Sequence, residues 1–255
     1  MIGEILASVS ALVPVLAGDN QFVGIRTKTG EDCMLLLKLG EREHLETLRK
    51  GLLYMNSLAF FKSLEADQTR RDRREGIDYV YQPGDCEFVL DAGIPGFDKI
   101  RASAASGLAG VQIRMQRTSS CNIFCMFAVT KPIEGSPFPK SHPWFGDSFL
   151  IFTRTQEFLS KVEAAANRQG LKGECRLVQY YDENSYTGKA GRFRKSSIFS
   201  YQSEYRIALE TGAEGPFRFE IGDLSDTSDV LPLDLAGHVL KLRPEDLEAA
   251  GLSWD

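Results

Sequence analysis

The residues with the most chemical potential sit late in the chain, where Gln202, Glu204 and Arg206 recur at every second position between residues 199 and 209. Taken as a strand, this run places Phe199, Tyr201, Ser203, Tyr205, Ile207 and Leu209 on one face and Ser200, Gln202, Glu204, Arg206 and Ala208 on the other. The first face is aromatic and aliphatic and belongs against a core. The second aligns an amide, a carboxylate and a guanidinium. Three polar side chains aligned in this way can line a polar site. The same side chains also fit a solvated strand face, with Glu204 and Arg206 as an ion pair of little energetic weight.

Just upstream, Gly188-Lys-Ala-Gly-Arg-Phe-Arg-Lys195 holds Lys189, Arg192, Arg194 and Lys195 with no acid, and Phe193 lies among them. A mobile basic loop with an aromatic tip suits phosphates and a stacked base; a solvated basic turn has the same composition. A second basic cluster, Arg70, Arg71, Arg73 and Arg74, is interrupted by Asp72 and followed by Glu75. It extends a phosphate track or lies on a solvated face. Lys38 is the lone charge in the apolar run 33–39, so it sits at a strand end or aims into a polar site.

These groups must be positioned by scattered strands and a few helices. Residues 33–39, 52–58, 123–129 and 149–152 are apolar runs of strand length, and 176–181, 199–209, 217–221 and 239–242 complete the set. Residues 43–50 predict a short helix stopped by Gly51. Thr153 and Gln156 fit a capping box for a helix that ends at Gly170. On the strand after Gly51, Tyr54, Asn56 and Leu58 share one face and Leu53, Met55 and Ser57 the other. Strands outnumber helices without regular alternation, which predicts an α+β fold. Ile2, Ile5, Leu6, Val9, Leu12, Val13 and Leu16 fall at helical spacing, so residues 1–20 predict an amphipathic helix, packed on its own domain or docked on a partner, ahead of a single domain over 21–255.

Composition narrows the function. The chain has 255 residues, 43% of them hydrophobic and 25% charged, which is ordinary for a globular protein. It contains no run of about 18 apolar residues that would span a membrane. A net charge of −5 argues against coating nucleic acid by bulk positive charge. Five cysteines without tight spacing are not a disulfide framework, and a cytoplasmic location is expected. The histidines, at 44, 142 and 238, are far apart and outside any metal-ligand motif, so no metal is expected on them. Nucleophile-elbow, phosphate-loop and Rossmann glycine signatures are absent.

With these residues in view, the chain resembles the ADP-ribosyltransferase fold, and among its members the bacterial toxins of toxin–antitoxin and phage-defence systems. That family has a first strand with His or Arg, a helix, a Gly, a second strand with Ser, Thr or Tyr, and a late Gln-x-Glu or Glu-x-Glu strand. Gln202-Ser-Glu204 matches the last motif, and Lys38, Leu39 and the stretch from Tyr54 to Ser57 match the first two by placement. Lys38 replaces the family's His or Arg, and Thr118-Ser-Ser120 has the composition of its middle motif. The match covers roughly residues 33–210.

The resemblance implies a split β-sandwich with short helices, and NAD as co-substrate. It also implies roles. Lys38, Leu39, Tyr54 and Ser57 would hold the nicotinamide end. Glu204 would bond the ribose and face the charge that grows as nicotinamide leaves, and Gln202 would reach the acceptor. Arg192, Phe193, Arg194 and Lys195 would form the loop that selects a nucleic acid. An inhibitory antitoxin would restrain the enzyme, with the N-terminal helix as one contact. Two other readings compete. Asp182 with Glu204-Tyr-Arg206 resembles the Asp…Glu-x-Lys arrangement of metal-dependent nucleases, with Arg in the Lys position. A non-catalytic nucleic-acid or protein-binding module would use the basic loop and the N-terminal helix alone.

Overall fold

Apolar runs too short for buried helices form the strands of this protein. In a computed structural model the described residues are 25–27, 35–63, 77–82, 88–90, 100–102, 113–115, 121–130, 138 and 145–236. The chain enters through β1 (Ile25–Thr27), β2 (Leu35–Gly40), α1 (Arg42–Arg49), β3 (Leu52–Ser57) and α2 (Leu58–Ser63). Four short strands follow, β4 (Tyr79–Tyr81), β5 (Phe88–Leu90), β6 (Ile100–Ala102) and β7 (Ile113–Met115). Then come β8 (Asn122–Val129), β9 (Ser148–Phe152), α3 (Thr155–Arg168), β10 (Lys172–Leu177), β11 (Gln179–Tyr181), β12 (Gly188–Lys189) and β13 (Arg194–Ser196). The described part closes with β14 (Glu204–Glu210), β15 (Phe217–Glu220) and β16 (Ser228–Pro232). The fold is α+β and rich in sheet.

Strand β8 is the axis of the main sheet. Along one edge it pairs antiparallel with β14, from Asn122 opposite Leu209 to Phe127 opposite Glu204. Its other edge is divided. At one end Phe127, Ala128 and Val129 pair with Leu37, Leu36 and Leu35 of β2. At the other, Asn122 and Ile123 pair with Ser57 and Asn56 of β3. No described strand pairs with residues 124–126 on that edge. From the split, β2 continues to β9 and β16, while β3 continues to β15.

Alternation along β8 divides the core. Phe124, Met126 and Ala128 pack with Tyr205, Ile207 and Leu209 of β14 and with Phe158, Leu159 and Val162 of α3. Phe127 and Val129 join Leu35, Leu37, Phe149 and Ile151 in a second cluster, and Ile123 joins Leu58, Phe193 and Ala208 in a third. Phe152 stacks on Phe158 with ring centroids 4.0 Å apart, fixing the start of α3 against the sheet. Helix α1 bridges the split and buries Leu45 and Leu48. Gly51, at φ +96°, turns the chain from α1 into β3 in a conformation that favours glycine.

Several expectations are corrected. Residues 199–209 are not one strand. Residues 197–202 form a 3₁₀ segment, Ser203 takes a left-handed conformation at φ 40°, and the strand begins only at Glu204. Ser203 is held there by both backbone and side chain: its N–H donates to Ser200 O, its Oγ donates to Ala128 O, and its own carbonyl accepts from Ala128 N. From 204 onward the alternation holds, but both faces are buried. The expected strand 176–181 breaks at Val178, whose N–H donates to Glu204 O; β10 pairs with β14, and β11 pairs in parallel with β13. Leu58 belongs to α2 rather than to β3. Helix α3 begins after Arg154 with no side-chain cap, so the Thr153–Gln156 capping box does not form.

The basic stretch 188–195 is not a mobile loop. It contains β12, paired with β4, a 3₁₀ turn over 191–193, and the start of β13. Cys121 and Cys175 are buried and Cys125 half-buried, all with free thiols. No helix among the described residues is long and apolar enough to cross a membrane. The amphipathic stretch 1–20, the arginines at 70–74, Thr118-Ser-Ser120, Cys33, Cys86, His142, His238 and the strand expected at 239–242 lie outside the described residues.

Candidate functional site

The divided edge of β8 creates the site. Where β2 and β3 part, the backbone of residues 124–126 has no partner strand on that side, and a buried carbonyl there needs a donor. Lys38 supplies it: its Nζ donates to Cys125 O at 2.7 Å and lies 4.7 Å from the centre of the Phe124 ring. The lone charge in the β2 run is therefore a bracket across the split. A cavity of about 740 Å³ occupies the gap. Its walls are the end of β2 with Leu39 and Gly40, the Tyr54 and Asn56 face of β3, Phe60 and Phe61 of α2, and residues 123–127 of β8. Glu204 and Arg206 of β14, with Lys195, Gln202 and Arg218, complete the lining.

A buried charge cluster borders this cavity. Glu204, 7% exposed, accepts from Lys195 Nζ on Oε1 and from Arg206 on Oε2, both at 2.7 Å. Lys195 Nζ also donates to Gln202 Oε1 at 2.7 Å, and it lies 4.8 Å from the centre of the Phe199 ring. Arg206 donates on to Arg192 O at 2.6 Å. Burial alone would push the Glu204 carboxyl up. The adjacent charges of Lys195 and Arg206, and the hydrogen bonds they donate, outweigh it and hold the group well below the usual carboxylate range. Glu204 N–H donates to the Tyr180 hydroxyl at 2.9 Å. Burial, reinforced by the Glu204 charge, raises the phenol well above its ordinary value, so it stays neutral.

Glu204 is thus held ionised near neutral pH, where it does not exchange protons. A carboxylate offers about four acceptor directions. Two are engaged by Lys195 and Arg206, which leaves acceptor capacity for a ligand hydroxyl.

The cavity brings together Lys38, Leu39, Tyr54, Lys195, Gln202 and Glu204 of the residues singled out in the sequence. It does not include Ser57, which is buried with its Oγ accepting from Phe60 N at 3.2 Å as the cap of α2. It does not include Arg192, Phe193 or Arg194 either. Phe193 is 1% exposed, under the Arg176 guanidinium at 4.5 Å, because an apolar ring on this segment gains more in the third core cluster than in water. Arg192 pairs with Glu210 at 3.0 Å, and Arg194 lies over the Tyr186 ring.

Lys195 lines the cavity and is the ion-pair partner of Glu204. Asp182 bonds Asn184 N and Ser185 Oγ in a turn bordering a separate, more open pocket. Glu204 and Asp182 border different pockets, and no group of three or more side chains that could hold a metal ion occurs among the described residues.

The sequence reading missed Phe60, Phe61 and Arg218 as parts of the site, and it missed the role of Lys195. Asn56 was legible, since it shares the Tyr54 face at period two. No protein-family model matches the chain, and neither does any curated protein or solved structure.

Proposed function

We propose that the cavity takes NAD and that the protein is an ADP-ribosyltransferase with Glu204 as its central carboxylate. One observation carries the reading: Glu204, on the late strand, borders the same cavity as Lys38 and Leu39 of the first strand and Tyr54 of the second, across a sheet split between those two strands. The bond from ribose C1′ to the nicotinamide nitrogen breaks, and the electron pair leaves with nicotinamide. A nucleophile of the acceptor bonds to C1′ and gives up a proton. Between these events C1′ carries oxocarbenium-like charge, and the ionised Glu204 stabilises it. Gln202, tied to Lys195 beside Glu204, is the residue that would reach the acceptor.

The acceptor in this proposal is a nucleic acid. Phe193 is inside the protein, so base stacking on it contributes nothing to that choice, and Lys189 and Arg194 are the basic groups left to support it. An enzyme of this kind harms its own cell when unrestrained, so an inhibitory antitoxin belongs to the same proposal.

The test is incubation with labelled NAD, without added metal, against separate pools of RNA, DNA and protein. Transfer of label to RNA or DNA, slowed by a factor of about 10² to 10³ in folded Glu204→Gln and reduced in the exposed-site variant Tyr54→Ala, is the expected result. Label in protein alone replaces the acceptor. Absence of both label transfer and nicotinamide release by the folded wild-type protein overturns the reading.

A further inference from the structure

The cations around the cavity are not equivalent. Lys38 is engaged with the Cys125 carbonyl, Lys195 with Gln202 and Glu204, and Arg206 with Glu204 and the Arg192 carbonyl. Arg218 differs. It stands directly opposite Tyr54 in the β15–β3 register, and its guanidinium lies 5.1 Å from the centre of the Tyr54 ring. Among the described residues its side chain has no ion pair and no hydrogen bond. It lies instead against an aromatic face that is itself 41% exposed.

We propose that Arg218, carried on Tyr54, is the residue through which the cavity takes a phosphate or diphosphate group of its ligand. A guanidinium over a ring keeps its N–H donors at its edge, where they are free to form the paired bonds that phosphate accepts. The stack also limits the arginine's rotamers before a ligand arrives, which lowers the ordering cost of binding.

The neighbouring wall fits the rest of such a ligand. Phe60 of α2 is exposed at the same cavity and offers a face to a planar ring. Asn56, two residues along β3 from Tyr54, makes no side-chain hydrogen bond among the described residues, and its carbonyl oxygen is buried without a donor. Asn56 lines the cavity, so the accessible part of its amide can meet a polar ligand group. An anion, a ring and an amide-binding group together describe a nucleotide. The inference rests on the NAD reading in assigning Arg218 to the diphosphate of NAD, and it stands without that reading as a site for phosphate-bearing ligands.

The experiment is calorimetric titration of the wild-type protein, Arg218→Gln and Arg218→Lys with NAD, ADP-ribose, ADP, inorganic pyrophosphate and nicotinamide riboside. NAD and ADP-ribose are expected to bind at least about tenfold more weakly to Arg218→Gln, with Arg218→Lys between, because lysine keeps the charge and loses the fork. Nicotinamide riboside, which lacks phosphate, is expected to bind all three alike, and equal melting temperatures show that the variants fold. Equal affinity of wild type and Arg218→Gln for NAD overturns this inference and leaves the NAD reading standing. Binding of ADP or pyrophosphate in an Arg218-dependent way, with none of NAD, overturns the NAD reading and supports the inference. No binding of any phosphate compound to the wild type overturns both.

Discussion

The ammonium of Lys195 lies 2.7 Å from Oε1 of Glu204, nine residues further along the chain, because a 3₁₀ segment and the left-handed Ser203 fold the chain back between them. With Arg206 on the other oxygen, the carboxylate is clamped in place with its charge intact. A group so held keeps its orientation when a ligand enters, which is what electrostatic stabilisation of a transition state requires.

Glu204→Gln removes the negative partner of two buried cations. Leaving a buried charge unpaired costs about 3–5 kcal/mol, so the variant is expected to unfold at markedly lower urea. In the proposed reaction its rate falls by a factor of about 10² to 10³. Measuring nicotinamide release at a temperature where circular dichroism shows the variant folded separates the two effects. An undiminished rate there would sink the catalytic role.

The clamp also sets an acid dependence. The folded-state pKa of Glu204 lies below its ordinary value of 4.5, so the stability this group contributes is complete above about pH 4.5 and is lost as pH falls toward the lower folded value. Lys195→Met removes one of the two cations and lessens the depression. Urea unfolding from about pH 7 to about pH 2.5 is expected to show lower stability at neutral pH and a shallower acid loss for Lys195→Met than for wild type. Parallel curves would contradict the clamp.

Lys38→Met takes the donor away from the Cys125 carbonyl in the split of the sheet. An unsatisfied buried carbonyl costs about 1–3 kcal/mol, and water entering the cavity lessens that cost. We expect a fall in stability within this range, together with faster amide exchange at residues 124–126. Unchanged exchange would show that Lys38 does not bracket β8.

Gly51→Ala tests how the cavity's second wall is hung. Gly51 sits at φ +96°, and a Cβ there would collide with the backbone of Gly222. The strain is expected to cost about 1–3 kcal/mol and to shift β3, weakening ligand binding at Tyr54. Gly212→Ala has the same sign of φ, and its Cβ would meet nothing within 4 Å. It is expected to perturb stability less and to leave binding unchanged, so thermal melts of the pair separate the collision from the backbone strain.

Much of the fold was legible along the chain. The buried runs of β2, β8 and β9 declared themselves because strands packed on both faces need apolar residues at nearly every position. Helix α1, the stop at Gly51 and the two faces of β3 followed from local spacing and from the backbone freedom of glycine. Where reading failed, a local pattern lost to a distant contact. The alternation of residues 199–209 suggested one strand, but hydrogen bonds from Ser203 to Ala128, 75 positions earlier, held the chain in a turn. The Phe193 segment resembled a basic loop, and burial of a single ring turned it inward.

Residue types alone decided that a carboxylate and a guanidinium would lie side by side on β14, since two-residue spacing on a strand puts them on one face. They also decided that Tyr54 and Asn56 would look the same way. Only the tertiary structure decided that this charged face is buried, that Lys195 closes on Glu204, and that β2 and β3 part along β8 to leave a cavity between them. Those outcomes depend on pairings among segments far apart in sequence, and such pairings are chosen by the packing of the whole core and by no local run of residues.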